Sequence, residues 1–286
     1  MRSVAELVAS VDAAFVETGR GLTGWEDPHP DRRPSDEEYS RVTNPQKWRI
    51  LRARAEAWLN ALAATGLAQV EADVDLEWEE PPRIDVVSVQ RALPRVAGTI
   101  PLVFGWTRSE IDGGIVIGVG DPTVVVEVIP DCGCDACDSG SQDVLDLLDE
   151  YVLGVVAGEY RRLRRGKREI TVYTQDRQGW GGFDGLWGKF WRLVPGWLIG
   201  ASPSTTTDSL YFTTTDDLVP EGRFSRSGRR ARFIKGKLRR LFRLPRAIAR
   251  NSASRRRCKQ VEKALARPKG WHEVSGSSWL DGENGQ

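Results

Sequence analysis

Three cysteines fall within six residues in "PDCGCDACDSGS", residues 130–141: Cys132, Cys134 and Cys137, interleaved with aspartates. Thiolates are soft anionic ligands. A glycine between two of them, here Gly133, lets the backbone fold so that several sulfurs approach one ion at about 2.3 Å. A tetrahedral zinc site needs four such ligands and this loop supplies three. The fourth is expected from His29 in "EDPHPDR", where flanking prolines lower the entropy lost in presenting the imidazole. Cys258 is the rival, but Arg255, Arg256 and Arg257 beside it repel a dication. His272 is a further histidine with nothing to support it. A Cys3His site is closed, which makes zinc structural rather than catalytic.

Two other readings compete. Cys137 precedes a helix start, where the positive end of the helix stabilises a thiolate, and a CxxC pair can cycle through a disulfide. Asp131, Asp135 and Asp138 argue against this, because nearby negative charge raises a thiol pKa. The third reading is three small cysteines packed at a sheet edge. A cytosolic chain with this spacing favours metal over the other two.

The rest of the sequence offers little catalytic machinery. A nucleophile–histidine pair must use His29 or His272, and no nucleophile elbow accompanies either. "GVGDP" from Gly118 lacks the glycines and following helix of a phosphate loop. Asp27 and Asp31 around His29 could form a hydrolytic metal site, although pairing with Arg32 or Arg33 is the commoner outcome. The reading is therefore a non-enzymatic protein, with a thiol-redox or metal-dependent enzyme using the cysteine cluster as the alternative.

The elements that must position these residues follow from hydrophobic periodicity. Val4, Leu7, Val8, Val11, Ala14 and Phe15 mark a helix over about Val4 to Val16. Asn44 and Pro45 read as cap and first position of a second helix that stops at Gly66. "RIDVVSV", "TIPLVFGW", "GGIVIGVG" and "TVVVEVI" are β-branched runs, hence four strands, apolar enough to be covered on both faces. A third helix carries Val144, Leu148, Tyr151, Val152 and Val155 on one face and ends near Gly158. "REITVYTQ" and "GWHEVSGSSWL" add further strands. The expected fold is α+β, with N-terminal helices packed on a mostly antiparallel sheet and a basic helical insertion near the C-terminus.

Charge is unevenly distributed in this 286-residue chain. The 41 basic and 40 acidic residues nearly cancel, yet residues 222–261 hold 16 bases and no acid. Within "RRARFIKGKLRRLFRL" the apolar residues Phe233, Ile234, Leu238, Leu241, Phe242 and Leu244 occupy half a helical wheel. Arg229, Arg230, Lys235, Lys237, Arg239, Arg240 and Arg243 fall mostly on the other half. Such a helix suits an anionic membrane surface or an acidic protein groove. Trp187, Trp191 and Trp197 just upstream favour the membrane, where each base contributes about 1 kcal/mol. Nucleic acid is the other anionic partner, and an ordinary helix packed on the acidic body is the plain alternative. No secretory h-region and no run of roughly 18 uncharged apolar residues appears, so the protein is expected in the cytoplasm, reaching the inner face of the membrane if the basic segment docks there.

"GWEDPHPDR", "EEYSRVT", "RARAEAWLNAL" and the cysteine block, taken together, resemble a family of uncharacterised proteins from high-GC actinobacteria. The resemblance covers roughly residues 9–183 and resumes near Val261 to Leu280. It implies three regions: a core at 1–183 with the cysteine cluster, a Trp-rich and basic insertion at 184–260, and a closing helix, strand and polar tail at 261–286. It implies no activity.

Overall fold

Ser3 starts the first helix by accepting the Glu6 N–H on its hydroxyl, while the Glu6 carboxylate accepts the Ser3 N–H at 2.8 Å. This capping box satisfies two donors that the first turn leaves open. The computed structural model describes residues 3–108, 112–174, 177–181 and 259–281. Helix α1 spans Val4–Thr18, and its apolar stripe buries Leu7 and Val11. A 3-10 turn at Pro45–Trp48 leads into α2, Arg49–Ala64, which buries Leu51, Ala55, Trp58 and Leu62 at helical spacing.

A buried cation joins the three helices. Arg54 of α2 is 6% exposed; it donates twice to Asp149, at 3.0 and 2.6 Å, and once to Asp12 of α1 at 2.8 Å. Trp58 Nε1 donates to the same Asp149 at 2.6 Å. Asp149 lies on α3, Ser141–Val156.

The first sheet is an antiparallel meander of β1 (Ala68–Ala72), β2 (Val86–Pro94), β3 (Leu102–Thr107), β4 (Ile115–Val119) and β5 (Val124–Ile129), paired in chain order. As expected from their unbroken apolar runs, β4 is buried at every position and β3 at all but its last. Helix α3 carries Tyr151, whose hydroxyl donates to Glu127 of β5 at 2.6 Å. The chain returns to this unit after residue 274: Ser277 N–H donates to Gly98 O at 2.9 Å, and Trp279 is wholly buried. Gly158, at φ 75°, makes room for that return, since a Cβ there would lie 2.4 Å from Ser278 N.

Residues 161–274 form a second unit. Its sheet has the order β8-β7-β6-β9, from β6 (Arg161–Arg165), β7 (Arg168–Thr174), β8 (Arg177–Gly181) and β9 (His272–Ser275). Leu163 and Ile170 pack with Val261 and Ala264 of helical residues 259–266 into a small core.

The fold is α+β, as expected, but two antiparallel sheets replace the single sheet. The polar alternation of β1 and the arginines of β6 hid those strands, because register rather than an apolar run defines them. The Trp-rich stretch and the basic helix expected at Arg229, Arg230, Lys235, Lys237, Arg239, Arg240 and Arg243 lie outside the described residues.

Candidate metal centre

The cysteines sit on the loop between β5 and α3, residues 130–140. Their three sulfurs lie within 4.8 Å of one another, and those of Cys132 and Cys134 are 3.2 Å apart. Cys134 is buried beneath the loop, whereas Cys132 and Cys137 are exposed. A 3-10 turn over Asp135–Cys137 brings the last sulfur back, with Cys137 N–H donating to Cys134 O at 3.0 Å.

Two aspartates hold this loop to the N-terminal segment. Asp135 accepts Arg41 Nε at 2.7 Å, the Thr43 N–H at 2.9 Å and the Thr43 hydroxyl, while its own N–H donates to Arg41 O at 2.7 Å. Asp138, 2% exposed, accepts Trp25 Nε1 at 2.8 Å, Gly140 N–H at 2.9 Å and the Lys47 ammonium. Lys47 also lies over the Trp25 and Trp48 rings at 5.2 Å from each centroid, and the two rings meet edge to face. Gly140 has φ 90°, and a Cβ on it would stand 2.7 Å from Asp27 N, so only glycine fits between loop and segment.

Electrostatics follow from this pairing. Burial pushes the Asp135 carboxyl up, but its bonds from Arg41 and Thr43 outweigh that and bring it down to about 2. Asp131 raises the Cys132 thiol, as expected of a nearby carboxylate, whereas Asp135 and Asp138 face cations and N–H donors. Cys132 is drawn down to about 5, first by the hydrogen bond from the Cys137 thiol and then by donors from Cys134. Cys137 is pushed up by that same shared bond, and Cys134 is raised by burial and by Cys132. The shared hydrogen bonds thus favour the thiolate at Cys132 over the other two sulfurs.

His29 is 1% exposed. Its Nε2 lies 3.2 Å from Glu38 Oε1 and its backbone N–H donates to Asp27 Oδ1 at 2.7 Å. Glu38 also accepts Arg32 at 2.9 and 2.7 Å and Ser35 N–H at 2.6 Å. Arg41, at 3.7 Å from Glu38, is the same residue that binds Asp135. The structure thus brings together three of the four expected ligands. It places His29 on Glu38, outside the group of mutually close ligand atoms, and connects it to the cysteine loop through Glu38, Arg41 and Asp135. His272 is exposed on β9 of the second unit, and Cys258 lies outside the described residues.

The stretches that clasp the cysteine loop, residues 24–32 and 37–43, are blocks on which the resemblance rested. A model of a family of unknown function (DUF6226) matches residues 11–192. The chain belongs to this family. The match includes every residue of the cluster just described and stops short of Arg229–Arg243. No curated protein and no solved structure matches the chain. Among the described residues no helix is long and apolar enough to cross a membrane.

Proposed function

We propose that Cys132, Cys134 and Cys137 bind a single thiophilic ion of the zinc class, and that the ion stabilises the larger unit rather than catalysing a reaction. The observation that carries this reading is the convergence of three sulfurs on a loop already fixed by Asp135 and Asp138. Sulfurs around one ion at about 2.3 Å stand roughly 3.8 Å apart in a tetrahedron, which suits a trio lying within 4.8 Å. Cysteines that ligate different irons of a cluster are kept farther apart by the framework between them. The ion would join the end of β5 to the start of α3. A stabilising role fits the surroundings, where Arg41, Thr43, Lys47 and Trp25 hold the loop in place.

The fourth position falls to solvent or to His29. Coordination through His29 Nδ1 would leave Nε2 on Glu38 as its supporting carboxylate, but the imidazole lies outside the group of mutually close ligand atoms, so solvent is the simpler completion. Metal analysis of protein purified without chelator, with thiol titration, tests the proposal. One ion per chain with protected thiols supports it; a metal-free protein that takes up no zinc on titration sinks it. Stoichiometric zinc in a His29→Ala variant assigns the fourth position to solvent, and its loss assigns that position to the imidazole.

Thiol redox is the second reading, favoured by the 3.2 Å approach of Cys132 and Cys134 and the low pKa of Cys132. It predicts a metal-free thiol that alkylates rapidly at pH 6.

A further inference from the structure

The three sulfurs do not share one environment. Cys134 is 5% exposed, whereas Cys132 and Cys137 are exposed. Cys132 Sγ stands 3.2 Å from Cys134 Sγ, and Gly133 between them has no side chain to hinder a closer approach. Among the described residues the group of mutually close ligand atoms contains neither imidazole nor carboxylate. A closed site surrounds its ion with four protein ligands, but here two of the three sulfurs reach solvent. An accessible sulfur with a second sulfur directly behind it is the arrangement in which an oxidised cysteine is resolved as a disulfide. Ligation keeps the sulfurs as thiolates, the form that attacks a peroxide.

The scaffold around the sulfurs is held by other means. Asp135 is bound by Arg41 and Thr43, and Asp138 by Trp25, Gly140 and Lys47. Ser141 Oγ accepts the Trp25 N–H at 2.9 Å and donates to Trp25 O at 3.0 Å. None of these bonds involves a sulfur. The loop after Cys134 therefore keeps its place when the ligands change, and reloading the site requires only that the thiols return.

We infer that hydrogen peroxide oxidises this site and expels its ion, with Cys132 as the sulfur attacked and Cys134 as the one that resolves it. The inference rests on the metal binding proposed above, and it differs from the metal-free thiol pair in requiring the ion. In the first step the Cys132 thiolate attacks one peroxide oxygen: the S–O bond forms, the O–O bond breaks, and the departing hydroxide takes a proton from solvent. In the second the Cys134 thiolate attacks the Cys132 sulfur: the S–S bond forms, the S–O bond breaks, and a second hydroxide leaves and is protonated. Two electrons pass from the paired thiolates to the peroxide. Cys137 then remains as the last sulfur ligand, too few to retain a dication, and the link from the end of β5 to the start of α3 is lost. A dithiol reverses the change by forming its own disulfide while Cys132 and Cys134 return to thiols.

The test treats the zinc-loaded full chain with about one equivalent of hydrogen peroxide beside a chromophoric zinc indicator, then alkylates it and cleaves it on the N-terminal side of aspartate. Asp131, Asp135 and Asp138 place Cys132 and Cys134 together on peptide 131–134 and Cys137 on peptide 135–137. Peroxide should release about one zinc per chain, and the untreated chain none. Peptide 131–134 should be unalkylated and lighter by two hydrogens, and peptide 135–137 should carry the alkyl group. Dithiothreitol followed by zinc should restore the loaded state. Zinc retained after peroxide overturns the inference and leaves the metal reading standing. Release with peptide 131–134 alkylated, or with Cys137 in the disulfide, overturns it as well. A chain that takes up no zinc before peroxide is added removes the metal reading and this inference together.

Discussion

Trp25 and Asp138 stand 113 positions apart in the chain, yet the indole N–H of one donates to the carboxylate of the other at 2.8 Å. That bond, with the Lys47 ammonium on the second oxygen, fastens the cysteine loop to the segment before α2. Removing the carboxylate leaves a half-buried indole donor and a largely desolvated cation without their acceptor. Asp138→Ala should therefore lower stability by about 2–4 kcal/mol. Asp138→Asn keeps an acceptor for Trp25 and should lose less. Urea unfolding followed by Trp fluorescence measures both, and zinc affinity should fall in the same order.

Gly140 offers a steric counterpart to that polar clasp. Its φ of 90° and the 2.7 Å approach of any Cβ to Asp27 N mean that Gly140→Ala must shift the backbone on one side. We expect a loss of about 1–3 kcal/mol with the thiols becoming faster to titrate. An unchanged melting temperature together with unchanged thiol kinetics would refute the close approach.

Arg54 illustrates the difference between removing a charge and replacing it. Arg54→Ala leaves Asp149 facing the helix interface without its bidentate partner and should lower stability by about 3 kcal/mol. The double variant Arg54→Met/Asp149→Leu removes both charges and refills the space, and should recover more than half of that loss. Calorimetric melting of the single and double variants decides whether the triad of Asp12, Arg54 and Asp149 acts through charge pairing or through packing.

Acid should loosen the His29 region through Glu38. The Arg32 guanidinium and Ser35 N–H hold that carboxyl well below the usual carboxylate range. A group depressed in the folded state contributes fully above its unfolded pKa of about 4.3, and that contribution fades as pH falls below it. Melting temperature should thus drop steeply from pH 5 towards pH 3. Glu38→Gln should melt lower at pH 7 and show a flatter acid limb, which a pH series of thermal melts reads directly.

Chelation provides the fifth check. Metal-loaded protein should lose several degrees of melting temperature in a strong chelator, because the ion binds the folded loop and not the unfolded chain. A Cys132→Ser/Cys134→Ser/Cys137→Ser variant should start at the lower temperature and ignore the chelator.

Most of the first unit could be read from periodicity. The apolar stripes of α1, α2 and α3 and the β-branched runs of β2 to β5 announce themselves, because burial requires those residues at those spacings. β6 could not be read so: four of its five residues are arginines, and its strand character comes from pairing with β7 rather than from its own composition. At the cysteine cluster the spacing was sufficient to anticipate convergence. What Asp135, Asp138, Lys47 and Trp25 do was not legible, since their partners come from roughly 90 to 115 positions away and charge alone does not say what a carboxylate faces. His29 shows the same limit. Its flanking prolines and the need for a fourth ligand pointed to the cysteines, but the contact of its Nε2 with Glu38, nine residues on, had no sequence signal.

The larger unit is assembled from two stretches of chain, with Trp279 filling its interior only after residues 161–274 have been made. During synthesis the ribosome must therefore release the whole intervening module before the earlier unit can close over that indole. Until then the interior of the earlier unit lacks the indole that the finished fold buries there.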